Sequence, residues 1–142
     1  MRIAIVGGTG DIGEGLALRW AHDTTHEVLV GSRDAERARQ AAADYVERLE
    51  AHGVDREIRG FENGDAAARA DVIVLSVPPY HLSDTIEAIE TAIDEAVLLT
   101  PAVGIERDED GYHYNPPPTG SLTAYAARAA PENPVDRAGV EI

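Results

Sequence analysis

A chain of 142 residues and 15.2 kDa has room for one domain with one core, and 26 acidic against 12 basic side chains leave a net charge of −14, which argues against nucleic acid as a partner. The absence of cysteine excludes a disulfide scaffold or a thiolate metal site, and no apolar run approaches the roughly 18 residues that cross a bilayer, so no membrane partner is expected. The opening Met1-Arg2-Ile3-Ala4-Ile5-Val6 is too short for an export signal, which makes the cytoplasm the expected location.

The first strand runs from Arg2 to Val6 and stops at Gly7 and Gly8; a second, Glu27 to Val30, stops at Gly31. Arg56 to Phe61 is a weaker strand candidate. The clearest run is Val72-Ile73-Val74-Leu75-Ser76-Val77, ended by Pro78 and Pro79, and another from Ala96 to Leu99 is stopped by Pro101. Helical spacing fills the intervals: Ile12, Leu16, Trp20; then Ala38, Ala41, Ala42, Tyr45, Val46, Leu49; then Leu82, Ile86, Ile89, Ile93. Asn63 suits the N-cap of a short turn through Ala70, and Ser121 that of a helix from Leu122 to Ala130 ended by Pro131. The alternation predicts right-handed βαβ units. The expected class is α/β, a Rossmann-like doubly wound parallel sheet of order 3-2-1-4-5 with helices on both faces. Ligand is expected at the switch point, between the strands ending at Val6 and Val77.

Gly8-Thr9-Gly10-Asp11-Ile12-Gly13 fits G-x-G-x-x-G directly after the first strand and at the start of the first helix, the context in which that pattern binds a dinucleotide. Gly8 permits the tight turn, Gly10 lets backbone approach a pyrophosphate, and Gly13 allows the helix to pack closely on the strand. The helix N-terminus adds free amides and roughly half a positive charge. The backbone amides of Asp11 and Ile12 can face the diphosphate, with the Asp11 carboxylate turned to solvent.

The tip of the second strand selects the cofactor. NAD binders place an acid there for the ribose 2′-hydroxyl, but this chain reads Gly31-Ser32-Arg33-Asp34-Ala35-Glu36-Arg37. Ser32 can donate to a 2′-phosphate, Arg33 can stack on adenine and pair with that phosphate, and Arg37 lies one helical turn further on. NADP(H) is the expected cofactor. The competing reading has Ser32 and Asp34 only capping a helix and the arginines solvated.

At the ends of the later strands stand Val77-Pro78-Pro79-Tyr80-His81 and Thr100-Pro101-Ala102-Val103-Gly104. The prolines stiffen the backbone where a nicotinamide ring would rest, which puts Val77 and Pro78 beside the cofactor, and small Ala102, Val103 and Gly104 leave room for a flat partner ring. His81 is a candidate catalytic residue, able to contact the cofactor or polarise a substrate; a local hydrogen-bonding role weighs evenly against it. His22, His26, His52 and His113 lack metal-ligand spacing, so no metal site is expected. A short-chain dehydrogenase would need a Tyr-x-x-x-Lys pair, and the chain has no lysine. Without an acid/base apparatus, the best-suited reaction is direct hydride passage between carbon centres of two cofactors, for which positioning at about 3 to 3.5 Å is most of the catalysis.

All twelve cations are arginine, and this carboxylate-rich composition predicts a protein adapted to high salt. At about 1 M salt the Debye length falls to roughly 3 Å and surface self-repulsion largely disappears.

The sequence resembles the coenzyme factor 420:NADP oxidoreductases, NADP-dependent reductases of an 8-hydroxy-5-deazaflavin. The likeness is carried from Met1 to about Ala130 by the first strand and its Gly7-Gly8-Thr9-Gly10 turn, by Gly13-Glu14-Gly15-Leu16-Ala17-Leu18-Arg19, His26-Glu27-Val28 and Gly31-Ser32-Arg33, by the Pro78-x-x-His81 turn and by the Asp110-Gly111 loop. The resemblance implies an NADP-binding Rossmann domain over residues 1–130, with Thr9, Ser32, Arg33 and Arg37 on the nucleotide. It also implies reversible hydride transfer between nicotinamide C4 and deazaflavin C5, and the lysine-free chain looks like a haloarchaeal member. Family members continue further, with another strand, much of the deazaflavin pocket and dimerisation helices. Residues 131–142 are therefore expected to be an atypical, truncated tail without a strand, and a homodimer to form only if the missing part is supplied. The alternatives are a non-catalytic NADP(H)-binding or redox-sensing module and a related imine or carbonyl reductase.

Overall fold

The computed structural model describes residues 1–131 and 135–137. β1 (Arg2–Val6), β2 (Glu27–Ser32), β3 (Ile58–Glu62), β4 (Val72–Leu75), β5 (Val97–Thr100) and the short strand Val135–Arg137 form one parallel sheet. A two-stranded antiparallel hairpin, β6 (Ile105–Asp108) and β7 (Gly111–Tyr114), stands apart from it, which makes Val135–Arg137 β8 in chain order. The sheet order is β3-β2-β1-β4-β5-β8. The expected 3-2-1-4-5 arrangement is present, with one strand added.

That addition corrects the expectation of a strandless tail. Backbone pairing sets Leu98 opposite Val135 and Thr100 opposite Arg137. Three residues are too few to show apolar periodicity, and the strand forms as a ladder on the open edge of β5 rather than from a hydrophobic run. Residues 132–134 and 138–142, the rest of that tail, lie outside the described residues.

Helices cover both faces because side chains alternate along each strand. Ile3, Ile5, Val28, Val30 and Val74 point to α1 (Asp11–Asp23) and α2 (Ala35–Ala51). Val6, Ile73, Leu75 and Leu98 point the other way, to α3 (Asn63–Ala67), α4 (Leu82–Ile89) and α5 (Leu122–Ala129). Ile73, Leu75 and Leu98 are fully buried, each contributing about 1.5 to 3 kcal/mol of transfer free energy.

α2 buries Ala38, Ala42, Tyr45 and Leu49, and α4 buries Leu82, Ile86 and Ile89, in both cases along the expected stripes. α1 differs. It buries Gly13, Ala17 and Ala21, one position past Ile12, Leu16 and Trp20, and leaves Ile12 61% exposed. Gly13 must face the sheet for close approach, and this rotates the larger apolar residues outward. Ser121 caps α5 as its spacing predicts, accepting from the Ala124 N–H at 3.0 Å. At α3 the cap is Glu62, whose carboxylate accepts from the Gly64 N–H at 2.8 Å, and Asn63 is buried instead.

Candidate functional site

The turn after β1 is tied down from every side. Gly7 takes the left-handed conformation, with φ of +75°, so the tight turn falls on Gly7 and not on Gly8. A Cβ on Gly7 would lie 2.6 Å from the Ser76 carbonyl, so only glycine fits. The Gly7 N–H faces Asn63 Oδ1 at 3.4 Å. The Gly8 N–H is shared between the carbonyls of Ile5 at 3.0 Å and Gly31 at 2.9 Å, and the Gly8 carbonyl accepts from the Tyr45 hydroxyl at 3.0 Å.

α1 begins at Asp11 with Gly10 as N-cap and no side chain to cap it. Its first-turn amides and the positive end of its dipole are therefore left for an anion. The Asp11 side chain is exposed, as expected.

At the tip of β2, Ser32 is buried and its Oγ accepts from the Asp34 N–H at 3.2 Å. Asp34 is the N-cap of α2, its carboxylate accepting from the N–H groups of Glu36 at 2.8 Å and Arg37 at 3.2 Å. Arg33 and Arg37 are exposed and form no ion pair among the described residues, whereas Arg19, Arg39, Arg48, Arg59 and Arg69 all do. Two free guanidinium groups beside a serine are a donor set for a phosphomonoester.

These elements enclose a hollow of about 520 Å³ lined by Thr9, Gly10, Ser32, Arg33, Arg37, Val77, Pro78 and His81 among others. A second hollow of about 450 Å³ shares Gly10, Ser76, Val77 and Pro78 with the first and continues past Asp11, Ile12, Pro101, Ala102 and Val103 to Ile105. Its lining is mostly apolar, as a flat ring requires. Of the residues singled out in the sequence, Gly8 and Gly13 line neither hollow. They pack against each other: a Cβ on Gly13 would lie 2.5 Å from Gly8 Cα. Gly104 also faces away, its open side 2.7 Å from the Asn115 carbonyl, so it seats the β6–β7 hairpin and does not enlarge the second hollow.

His81 stands at the start of α4 without capping it, 4.5 Å between ring centroids from Tyr80, and lines the first hollow but not the second. Asp84, Thr85 and Ala88 join it there and had not been singled out. Residues 81, 84, 85 and 88 follow helical spacing on the side of α4 away from Leu82, Ile86 and Ile89, so the stripe was readable once that helix was taken to border the switch point. Asn63 and Tyr45 were missed for another reason. Asn63 reaches the turn because β3 lies beside β2, and Tyr45 because α2 packs over β1, neither of which is a local pattern.

Burial raises the Tyr45 phenol above its ordinary value, with the Glu14 carboxylate adding to the effect and Arg48 opposing it. Among the described residues no cluster of three or more His, Asp or Glu is placed to hold a metal ion. Nor is any described helix long and apolar enough to cross a membrane.

Comparison with known proteins places this geometry in context. Residues 2–104 match the family model described as NADP oxidoreductase, coenzyme F420-dependent. An F420-dependent NADP reductase of Methanothermobacter thermautotrophicus is 45% identical over 106 residues, 75% of this chain and 44% of that protein. One from Methanocaldococcus jannaschii is 40% identical over 100 residues, 70% of this chain and 44% of its own length. The chain thus spans less than half the length of these curated relatives. Among solved structures, one described as an F420-dependent NADP-reductase from Arthrobacter sp. FB24 superposes with a TM-score of 0.71 at 26% identity, covering 96% of this chain and 61% of that one. A lactate dehydrogenase from Eimeria maxima superposes at 0.68 with 15% identity, covering 97% and 43%, which speaks for the fold alone.

Proposed function

The chain belongs to the coenzyme F420-dependent NADP oxidoreductase family, and from that premise we propose that it binds NADP(H) and takes part in hydride transfer between this cofactor and the deazaflavin coenzyme factor 420. The observation that carries the proposal is the continuity of the two hollows through Gly10, Ser76, Val77 and Pro78. One is walled by free arginines and the other by small apolar residues, a polar end and a ring end of one extended ligand.

The residues fit the cofactor. Thr9, Gly10 and the uncapped start of α1, with the amides of Asp11 and Ile12, hold the diphosphate; Gly8 and Gly13 shape that turn; Ser32, Arg33 and Arg37 hold the 2′-phosphate. Val77 and Pro78 bracket the nicotinamide, and Ala102 and Val103 leave space for a second ring. When bound, NADP(H) supplies or accepts a hydride at the nicotinamide ring. The protein's part is to position two rings against the apolar wall that Ile12, Ala102, Val103 and Ile105 line. His81, at the polar end, serves the nucleotide and not the transferring carbons.

Residues 1–130 make the NADP-binding domain in this reading, and the tail adds β8 to it. The acidic, lysine-free surface supports function in the cytoplasm of a high-salt cell.

The test is NADPH titration in molar salt beside an assay following deazaflavin absorbance. Binding with bleaching is expected. Binding without bleaching assigns the chain to a non-catalytic NADP(H) module, turnover of an imine or carbonyl without deazaflavin assigns it to a related reductase, and no binding refutes the proposal.

A further inference from the structure

We infer that Tyr45 is a positioning residue for the diphosphate turn, its buried hydroxyl aiming the Thr9 N–H into the site by holding the Gly8 carbonyl. The inference rests on the NADP(H) reading above and deepens it.

The Gly8 carbonyl and the Thr9 N–H belong to one planar peptide unit, and no peptide bond in the described chain is cis. In a trans unit the two groups point in opposite directions. The Tyr45 hydroxyl draws the Gly8 oxygen inward, toward α2, at 3.0 Å. The Thr9 N–H is thereby turned outward, on the side where Thr9 lines the first hollow.

Everything around Tyr45 serves to keep it there. Tyr45 is 3% exposed, packed among Ala17, Ala42 and Leu49 with the strand residues beneath. Arg48, one turn further along α2, forms an ion pair with Glu14 of α1 and fastens the two helices together beside the phenol. Burial and Glu14 hold the phenol protonated, so it donates throughout the neutral range. The same helix begins at the Asp34 cap, between Arg33 and Arg37. α2 therefore presents the phosphomonoester site at its N-terminus and steadies the diphosphate turn from its third turn.

The experiment is Tyr45→Phe, titrated in molar salt with NADPH and with adenosine 2′-monophosphate, which carries the 2′-phosphate and no diphosphate. The expected result is about 10-fold weaker NADPH binding, because the Gly8–Thr9 peptide unit, no longer held through its carbonyl, has to be turned into place when the diphosphate binds, with adenosine 2′-monophosphate unchanged. Unchanged NADPH affinity, or an equal loss for both ligands, overturns the inference, because a merely structural tyrosine would not separate them. If Tyr45→Phe does not fold, the same pair of titrations on Arg48→Met is expected to show a loss of about 3-fold confined to NADPH, and an equal change for both ligands again overturns it. Wild-type protein that takes up adenosine 2′-monophosphate but not NADPH refutes the turn as a diphosphate site, and with it the inference. Wild-type protein that takes up neither ligand refutes the cofactor reading itself.

Discussion

Gly13 and Gly8 touch backbone to backbone: a methyl placed on Gly13 would stand 2.5 Å from Gly8 Cα and 2.8 Å from the Gly8 carbonyl carbon. The first turn of α1 is thus seated directly on the turn that precedes it. Gly13→Ala should cost about 1 to 3 kcal/mol by overpacking against atoms that cannot rotate away. Thermal unfolding should show a melting temperature lowered by several degrees, together with weaker NADPH binding. An unaltered melting temperature would mean that the helix is free to lift.

Arg33→Ala should separate the two nicotinamide cofactors. A charge-assisted hydrogen bond contributes roughly 1.5 to 3 kcal/mol, so NADPH should bind about 10- to 100-fold more weakly and NADH about as before. Parallel titrations decide it, and equal losses would take the 2′-phosphate away from Arg33.

Asp34 holds a cap and a negative charge in the same carboxylate, beside the two free arginines. Asparagine caps a helix about as well as aspartate. Asp34→Asn should therefore leave stability unchanged while NADPH binds about 2- to 5-fold more tightly, an exposed pairwise charge effect of a fraction of a kcal/mol to about 1 kcal/mol. A drop in melting temperature would show that charge and not capping geometry anchors α2.

The raised Tyr45 pKa gives a sign for alkaline behaviour. The unfolded chain releases this proton near the ordinary value of 10.0 and the folded protein releases it later. The stabilisation is complete below that ordinary value and is lost as pH rises through the folded one. Denaturant unfolding above pH 10 should show falling stability in the wild type, with a shallower fall in Tyr45→Phe.

With a net charge of −14 on 142 residues, the folded surface repels itself in dilute buffer. The melting temperature should climb between about 0.1 M and 2 M potassium chloride as screening shortens to a few ångströms. A flat profile would remove the case for a high-salt protein.

What could be read from the chain alone followed from how local its cause is. β1, β4 and the buried stripe of α4 are set by runs and spacings within a few residues, and Ser121 announces its own cap. That Arg33 and Arg37 line the first hollow was readable because they follow the tip of β2, which borders the switch point. Asn63 and Tyr45 were not visible, since their partners Gly7 and Gly8 are 56 and 37 residues away in the chain. The β6–β7 hairpin escaped notice because its residues are nearly all exposed, leaving no alternation for a core to impose. Ile12 misled for the opposite reason: it has the spacing of a core residue, but the contact between Gly13 and the preceding turn governs the rotation of α1.

The pairing of Val135–Arg137 with Leu98–Thr100 has a colloidal meaning as well. Stripped of that cover, the β5 margin would present a bare ladder of amide donors and acceptors to any passing copy, the usual seed of sheet-to-sheet accretion. Three residues of main chain move that border outward onto a strand too short to serve as an effective template.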